Sequence, residues 1–289
     1  MSLLTRARNV SRLFIPPIVT KGIRAVQHLC TKPDRLYIGT QYLKYAPEGW
    51  KTQLIKGESI GWNVGSVIDT ERSKWDAFCR NVEGVGPLGF SHENRDMSVI
   101  RSPSFHNIHI SYAYVLALTA HKKDSVSVLD WGGALGHYYL VGKALLPDVF
   151  IDYHVKEVPL MAKAGKNLNP EVHWYDDESC LRRNYDLIMM NGSIGYMEDW
   201  ANALHRIAHS VKDYLFLARL LVVENSPSFV AVQQLYDSQM LHQQLNQTEL
   251  LETVKKAGLT LRREFVVGDR PYIKGSPEQC EMRSFLFRR

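Results

Sequence analysis

From Val126 onward, short apolar runs alternate with longer segments that carry apolar residues at helical spacing. The short runs are rich in Val, Ile and Leu, as expected of strands that are covered on both faces. The predicted strands are Val126–Leu129, Ile151–Glu157, Val172–Tyr175, Tyr185–Met190 and Tyr214–Val223. The predicted helices are Tyr138–Leu146, Leu160–Asn167, Met197–Ser210 and Thr248–Ala257. This alternation predicts an α/β fold with a mostly parallel sheet.

Two further segments, Leu261–Val267 and Arg283–Phe287, follow the last predicted helix. Both alternate apolar and polar residues, like the two arms of an antiparallel pair. The predicted sheet is therefore Rossmann-like, with seven strands of which the last runs antiparallel to the others.

A glycine-rich turn, residues 130–136 (DWGGALG), follows the first predicted strand. Glycine permits positive φ and lets main-chain N–H groups approach a ligand closely. A strand, an acidic residue, a glycine turn and a helix form the framework of a nucleotide-type cofactor site. Asp130, Gly132, Gly133 and Gly136 are therefore predicted to bind a cofactor. The methyl group of Ala134 is tolerable in this turn if the φ of Ala134 is negative.

The charge beside this turn distinguishes between cofactors. A dinucleotide site uses the spacing G-x-G-x-x-G and directs a helix N-terminus at the pyrophosphate. Residues 132–136 lack that spacing, and Asp130 would repel a phosphate. A carboxylate suits instead a ligand with an amino group and a sulfonium, which indicates S-adenosyl-L-methionine (SAM).

Polar residues also end the next three predicted strands. Glu157 ends the second strand and is expected to bind the ribose hydroxyls, although Asp152 at the start of that strand is a rival. Asp176 and Asp177 end the third strand and are also predicted to belong to the cofactor site. Asn191, Gly192 and Ser193 end the fourth and complete the predicted cofactor site.

The segment 128–136 (VLDWGGALG) resembles the first motif of the class I SAM-dependent methyltransferases, except that their usual middle glycine is Ala134 here. With His106–His109, Val155–Pro159, Asn191–Tyr196 and Phe229–Gln234, the chain is similar to bacterial methyltransferases encoded among genes for surface-polysaccharide synthesis. The similarity runs from about residue 35 to the C-terminus. It implies methyl transfer from SAM to a sugar or to a lipid-linked glycan precursor.

The sequence does not single out a catalytic residue. The sulfonium is already an activated methyl donor, so the protein must mainly align donor and acceptor and exclude water. A hydroxyl acceptor would be helped by a general base. His109 and Tyr196 are candidates near the predicted site, and Arg219 could hold a phosphate or carboxylate of the acceptor or pair with Glu224.

Composition bears on the size of the core, the cellular compartment and the possible partners. A chain of 289 residues that is 45% hydrophobic can bury a large core. Cys30, Cys79, Cys180 and Cys280 are widely spaced, which argues for reduced thiols in a cytoplasmic protein and against a metal site. The net charge of +5 and the absence of a recognised motif give no reason to expect nucleic-acid binding. No apolar run is long enough to cross a bilayer.

The N-terminal third differs from the rest. Residues 1–33 contain six basic and no acidic residues, and residues 1–30 are expected to contact anionic lipid, although a flexible arm and a transit peptide are alternatives. Residues 34–103 are predicted to form an extension or lid rich in aromatic residues, beside a SAM-binding domain at residues 104–289. The oligomeric state is not predicted.

Two other functions remain open at this point. One is a nucleotide-cofactor oxidoreductase that modifies sugars, against which the absent G-x-G-x-x-G spacing stands. The other is a non-catalytic binding protein with the same fold, because Ala134 departs from the motif and no base is evident.

Overall fold

The described part of the chain is built on a long twisted sheet, and it comprises residues 42–55, 59–88 and 103–289 of a computed structural model. Its strands are β1 (Tyr42–Tyr45), β2 (Ser59–Ile60), β3 (Ser125–Trp131), β4 (Phe150–Lys156), β5 (His173–Tyr175), β6 (Tyr185–Asn191), β7 (Val211–Val223), β8 (Phe229–Leu235), β9 (Ser238–Asn246), β10 (Thr260–Val266), β11 (Ile273–Lys274) and β12 (Glu281–Arg288). The basic arm at residues 1–33 lies outside the described residues.

Seven of these strands form the predicted Rossmann-like sheet, in the order β5-β4-β3-β6-β7-β12-β10. The first five are parallel to one another, whereas β12 is antiparallel to both β7 and β10. The prediction of a mostly parallel sheet with an antiparallel last strand is therefore confirmed. Parallel neighbours bring their carboxyl ends to one edge of the sheet, which is where α/β proteins bind ligands.

Helices cover the sheet: α1 (Gly65–Ser73), α2 (Trp75–Glu83), α3 (Pro103–Ala120), α4 (His137–Leu145), α5 (Pro159–Leu168), α6 (Trp200–His209) and α7 (Gln247–Lys256). The core strand β6 is buried on both faces, since every residue from Tyr185 to Met190 is buried, Asp186 among them. A strand buried in this way requires cover on both sides. On one side it packs in a cluster with Leu204 and Ile207 of α6 and Leu250 of α7.

A second, smaller group of strands extends the sheet beyond β7 and was not predicted. β8 and β9 form a hairpin joined through Tyr236 and Asp237, and β1 adds antiparallel to β8. β11 pairs with β1 and β2 pairs with β9, both in parallel. Through β1 and β2, residues from the N-terminal third become part of the sheet beside the carboxyl ends of β3, β4 and β6. No helix within the described ranges is both long and apolar enough to span a membrane.

Candidate functional site

A cavity of about 420 Å³ opens at the carboxyl ends of the central parallel strands. Trp131, Lys156 and Asn191, which are the last residues of β3, β4 and β6, all line it. The cavity continues beneath the extended sheet, where Gln233 of β8 and His242 of β9 form its wall. The strand ends and the added hairpin therefore line the same cavity.

The glycine turn forms one wall of this cavity at Gly132, Gly133 and Ala134. Gly132 has a φ of 78°, and a Cβ at Gly133 would lie 2.5 Å from the Asp130 carboxylate. Ala134 has a φ of 49°, so the condition of a negative φ is not met. A left-handed conformation costs a residue other than glycine some strain. The hydrogen bond from the Ala134 N–H to Glu157 Oε1, at 2.9 Å, holds Ala134 in it.

Asp130 lies behind this wall and does not line the cavity. Its side chain is fully buried, and Tyr153 donates a hydrogen bond to Oδ2 at 2.9 Å. Burial raises the pKa of Asp130 to about 7, while the bond from Tyr153 opposes the shift. The sequence placed this carboxylate beside the turn, but the structure puts it beneath the turn.

This raised pKa predicts a pH-dependent effect of Asp130→Asn. Because the pKa is higher in the folded than in the unfolded state, the folded chain keeps the proton longer, and stability is lost as the pH rises through about 7. Asn cannot ionise, so the variant does not lose this stability. The free energy of unfolding of the variant minus that of the parent should therefore be larger at pH 8 than at pH 5. Urea titrations at both pH values test this against exposed Asp148→Asn, and an equal difference at the two pH values would contradict it.

Glu157 is half-buried and faces the cavity at the end of β4. Oε1 accepts the Ala134 N–H, and Oε2 accepts the N–H of Val158 at 2.7 Å. Burial raises the pKa of Glu157 to about 7, although both N–H groups favour the charged form. The carboxylate is thereby fixed between the glycine turn and the start of α5.

The end of β6 supplies the third wall through Asn191, Gly192 and Ser193. Asn191 Nδ2 donates to Tyr138 Oη at 2.6 Å, and Ser193 Oγ donates to the carbonyl of Trp131 at 2.5 Å. Asn191 Oδ1 is buried and accepts no hydrogen bond from any residue in the described ranges. Asn191 itself lines the cavity, so this buried oxygen lies at the cavity wall.

Besides Asp130, four of the predicted site residues lie outside the cavity lining. Gly136 caps the start of α4, and Asp177 caps the short 3₁₀ helix Glu178–Arg182 by accepting the Ser179 N–H at 2.9 Å. Asp176 is likewise not among the lining residues. His109 is buried against Tyr138, and its Nδ1 lies 2.9 Å from the carbonyl of Phe105.

Tyr196 and Arg219 do line the cavity, together with residues that the sequence did not single out. Tyr196 donates to Gln233 Oε1 at 2.8 Å and meets the rings of Trp62 and His242 edge-on, with centroids 5.3 and 4.7 Å away. Glycine at 195 makes the last contact possible, because a Cβ there would lie 2.3 Å from His242 Nε2. Together these side chains give the far end of the cavity a mixed aromatic and polar surface.

His242 is buried, and its pKa is lowered to about 4, first by burial and then by the charge of Arg219. The imidazole is therefore neutral at physiological pH. Its Nδ1 lies 3.0 Å from Gln244 Nε2, which leaves the edge that carries Nε2 toward Gly195. His242 lies on a strand that the hydrophobic pattern did not reveal. Met240, His242 and Gln244 are buried at every second position of β9, and this spacing is the only signal that could have suggested the strand.

Comparison with known proteins gives only distant similarities. No family model and no curated protein matches the chain. A SAM-dependent methyltransferase from Clostridium acetobutylicum is 10% identical, with a TM-score of 0.45 over 63% of this chain and 90% of that one. Magnesium protoporphyrin IX methyltransferase from Synechocystis, with bound SAM, is 13% identical, with a TM-score of 0.46 over 78% and 95%. An amino pentose methyltransferase from Micromonospora echinaspora is 14% identical, with a TM-score of 0.42 over 63% and 91%.

Proposed function

We propose that this protein is a SAM-dependent methyltransferase. The observation that carries the proposal is the cavity at the ends of β3, β4 and β6, where the glycine turn, the Glu157 carboxylate and the buried Asn191 Oδ1 meet. A SAM molecule offers ribose hydroxyls and an ammonium group as hydrogen-bond donors. The two acceptors at this edge of the sheet suit both groups.

The same contacts disfavour a dinucleotide. A pyrophosphate at such a turn is held by free main-chain N–H groups. Here the Ala134 N–H is already donated to Glu157 Oε1, and a carboxylate stands where the phosphate oxygens would have to approach. The proposal of SAM therefore rests on the hydrogen bonding of the turn as well as on its sequence.

SAM supplies an activated methyl group when bound, and the chain would supply alignment and exclusion of water. Glu157 would hold the ribose hydroxyls, and Asn191 would accept from the ammonium group. The remaining volume beneath β8 and β9 would receive the acceptor beside Tyr196 and His242. Neutral His242 is the side chain there that could take up a proton from an acceptor hydroxyl, because its pKa would rise if an acidic group offset the charge of Arg219.

We further propose that the acceptor is a sugar or a lipid-linked glycan precursor. The support is the pairing of aromatic rings, Trp62 and Tyr196, with the amide of Gln233, because sugars present both apolar faces and hydroxyls. Arg219 at the cavity wall suits an acceptor that carries a phosphate or a carboxylate. The basic segment at residues 1–30 would then hold the enzyme at an anionic membrane where such an acceptor is found.

Transfer of labelled methyl from SAM tests this function. The full chain should incorporate label into the phosphosugar or glycolipid fraction of a bacterial extract, and Tyr196→Phe should reduce incorporation without weakening SAM binding. Exposed Tyr272→Phe serves as the matched control. Label in a protein or nucleic-acid fraction would overturn the acceptor class, and SAM binding without any incorporation would favour a non-catalytic binding protein.

A further inference from the structure

Two histidines and one aspartate form a compact cluster on β4 and β5, away from the cavity. Asp152 and His154 are two residues apart on β4, so their side chains share one face of the sheet. His173 is the direct partner of His154 across the β4–β5 ladder. None of the three lines the cavity. The sequence predicted no metal site, because His173 meets the other two residues only through the pairing of β4 with β5.

The side chains converge on one point. Asp152 Oδ1 lies 2.9 Å from His154 Nε2 and 3.4 Å from His173 Nε2. The two imidazoles are stacked, with centroids 4.5 Å apart and planes inclined by 21°. All three potential ligand atoms fall within 4.8 Å of one another, which is a separation that a single ion can bridge.

The ring of His154 is held from outside the cluster as well. Its side chain is buried. The Tyr175 hydroxyl lies 3.2 Å from His154 Nδ1. A hydroxyl can donate or accept, so the His154 proton can move from Nε2 to Nδ1 when an ion takes the Nε2 lone pair, with no net loss of a proton.

Arg183 fixes the third ligand. Its guanidinium donates to Asp152 Oδ2 at 2.6 Å, on the opposite side of the carboxylate from the histidines. This contact leaves Oδ1 directed at the two imidazoles. It also places a positive charge near any bound cation, so removing it should strengthen cation binding.

We propose that Asp152, His154 and His173 bind a divalent transition-metal ion of the Zn²⁺ type. Two imidazoles and one carboxylate form a ligand set that Zn²⁺ accepts, and three protein ligands leave a coordination position for water. The ion would tie the edge strand β5 to β4 and is separate from the proposed methyl transfer.

Zn²⁺ binding to the full chain, measured by competition with a chromogenic chelator, tests the site. His173→Ala should weaken binding by about tenfold or more, because it removes one of three ligands. The His173 side chain is 61% exposed, so the variant should keep the fold, and circular dichroism checks this. Exposed His121→Ala is the matched control and should leave binding unchanged.

Two further measurements complete the test. Arg183→Gln should tighten Zn²⁺ binding, whereas His173→Ala should abolish the rise in melting temperature that Zn²⁺ gives to the parent chain. Equal Zn²⁺ affinity and an equal thermal shift in the parent and in His173→Ala would overturn the proposal.

Discussion

Glu157→Gln is expected to weaken the binding of SAM by about 10- to 100-fold. A hydrogen bond to a charged group contributes about 1.5–3 kcal/mol, and each 1.4 kcal/mol corresponds to a factor of ten in affinity. Glutamine keeps the size of the side chain but loses the charge and one acceptor oxygen. The proposed ribose contacts should therefore be lost, and titration calorimetry with SAM measures the difference.

The same residue predicts how binding depends on pH. Because the pKa of Glu157 is raised to about 7, the fraction of Glu157 that is ionised increases as the pH rises from 6 to 8. The affinity of the parent chain for SAM should therefore rise over that range. The variant should show a weaker dependence. Exposed Glu252→Gln on α7 is the control. Unchanged SAM affinity in a folded Glu157→Gln variant would remove this residue from the proposed site.

Lys74→Met is expected to lower the free energy of unfolding by about 3 kcal/mol or more, since it removes a buried cation that lies beside a buried carboxylate. Lys74 Nζ lies 3.3 Å from Glu71 Oε1, and each side chain is only 1% exposed. The Tyr236 hydroxyl lies 2.6 Å from Lys74 Nζ and donates to Glu71 Oε1 at 2.7 Å. This network joins α1 and α2 to the turn between β8 and β9.

Chemical unfolding of the variant measures this loss. Lys163→Met, at an exposed position of α5, should change the free energy of unfolding by about 0.5 kcal/mol or less. The double variant Lys74→Met with Glu71→Gln should recover part of the loss, because it also removes the buried negative charge. If Lys74→Met matched the control, the network would not join the N-terminal helices to the hairpin as described.

The hydrophobic pattern predicted the Rossmann-like sheet well, because strands covered on both faces leave a continuous apolar run. β6, for example, was visible as the run that ends at Met190, and the alternation of Arg283–Phe287 identified β12. The site residues at the ends of these strands followed from the same reasoning. Glu157 and Asn191 line the cavity because parallel strands bring their carboxyl ends together.

The hairpin of β8 and β9 escaped the sequence analysis for a physical reason. Its turn has no glycine: Tyr236 takes a φ of 55°, held by its hydroxyl contacts to Glu71 and Lys74. These partners are more than 160 positions away in sequence, so no local signal marks the turn. His242 and Gln233, which this hairpin places in the cavity, were missed with it.

The glycine turn shows a similar limit. Local preference assigns a negative φ to Ala134, whereas the structure holds it at 49°. The cause is tertiary, because Glu157 on the following strand captures the Ala134 N–H. Asp130 illustrates the converse: its position was predicted, but its burial behind Gly133 depends on packing against Tyr153.

A crystal structure of the full chain grown with S-adenosylhomocysteine, the demethylated product of SAM, tests the central claim most directly. We expect the nucleoside in the cavity at the ends of β3, β4 and β6, with its ribose hydroxyls on Glu157 and its amino group within hydrogen-bond distance of Asn191 Oδ1. A nucleoside bound elsewhere, or a cavity that takes NAD in preference to the adenosyl compound, would contradict the account.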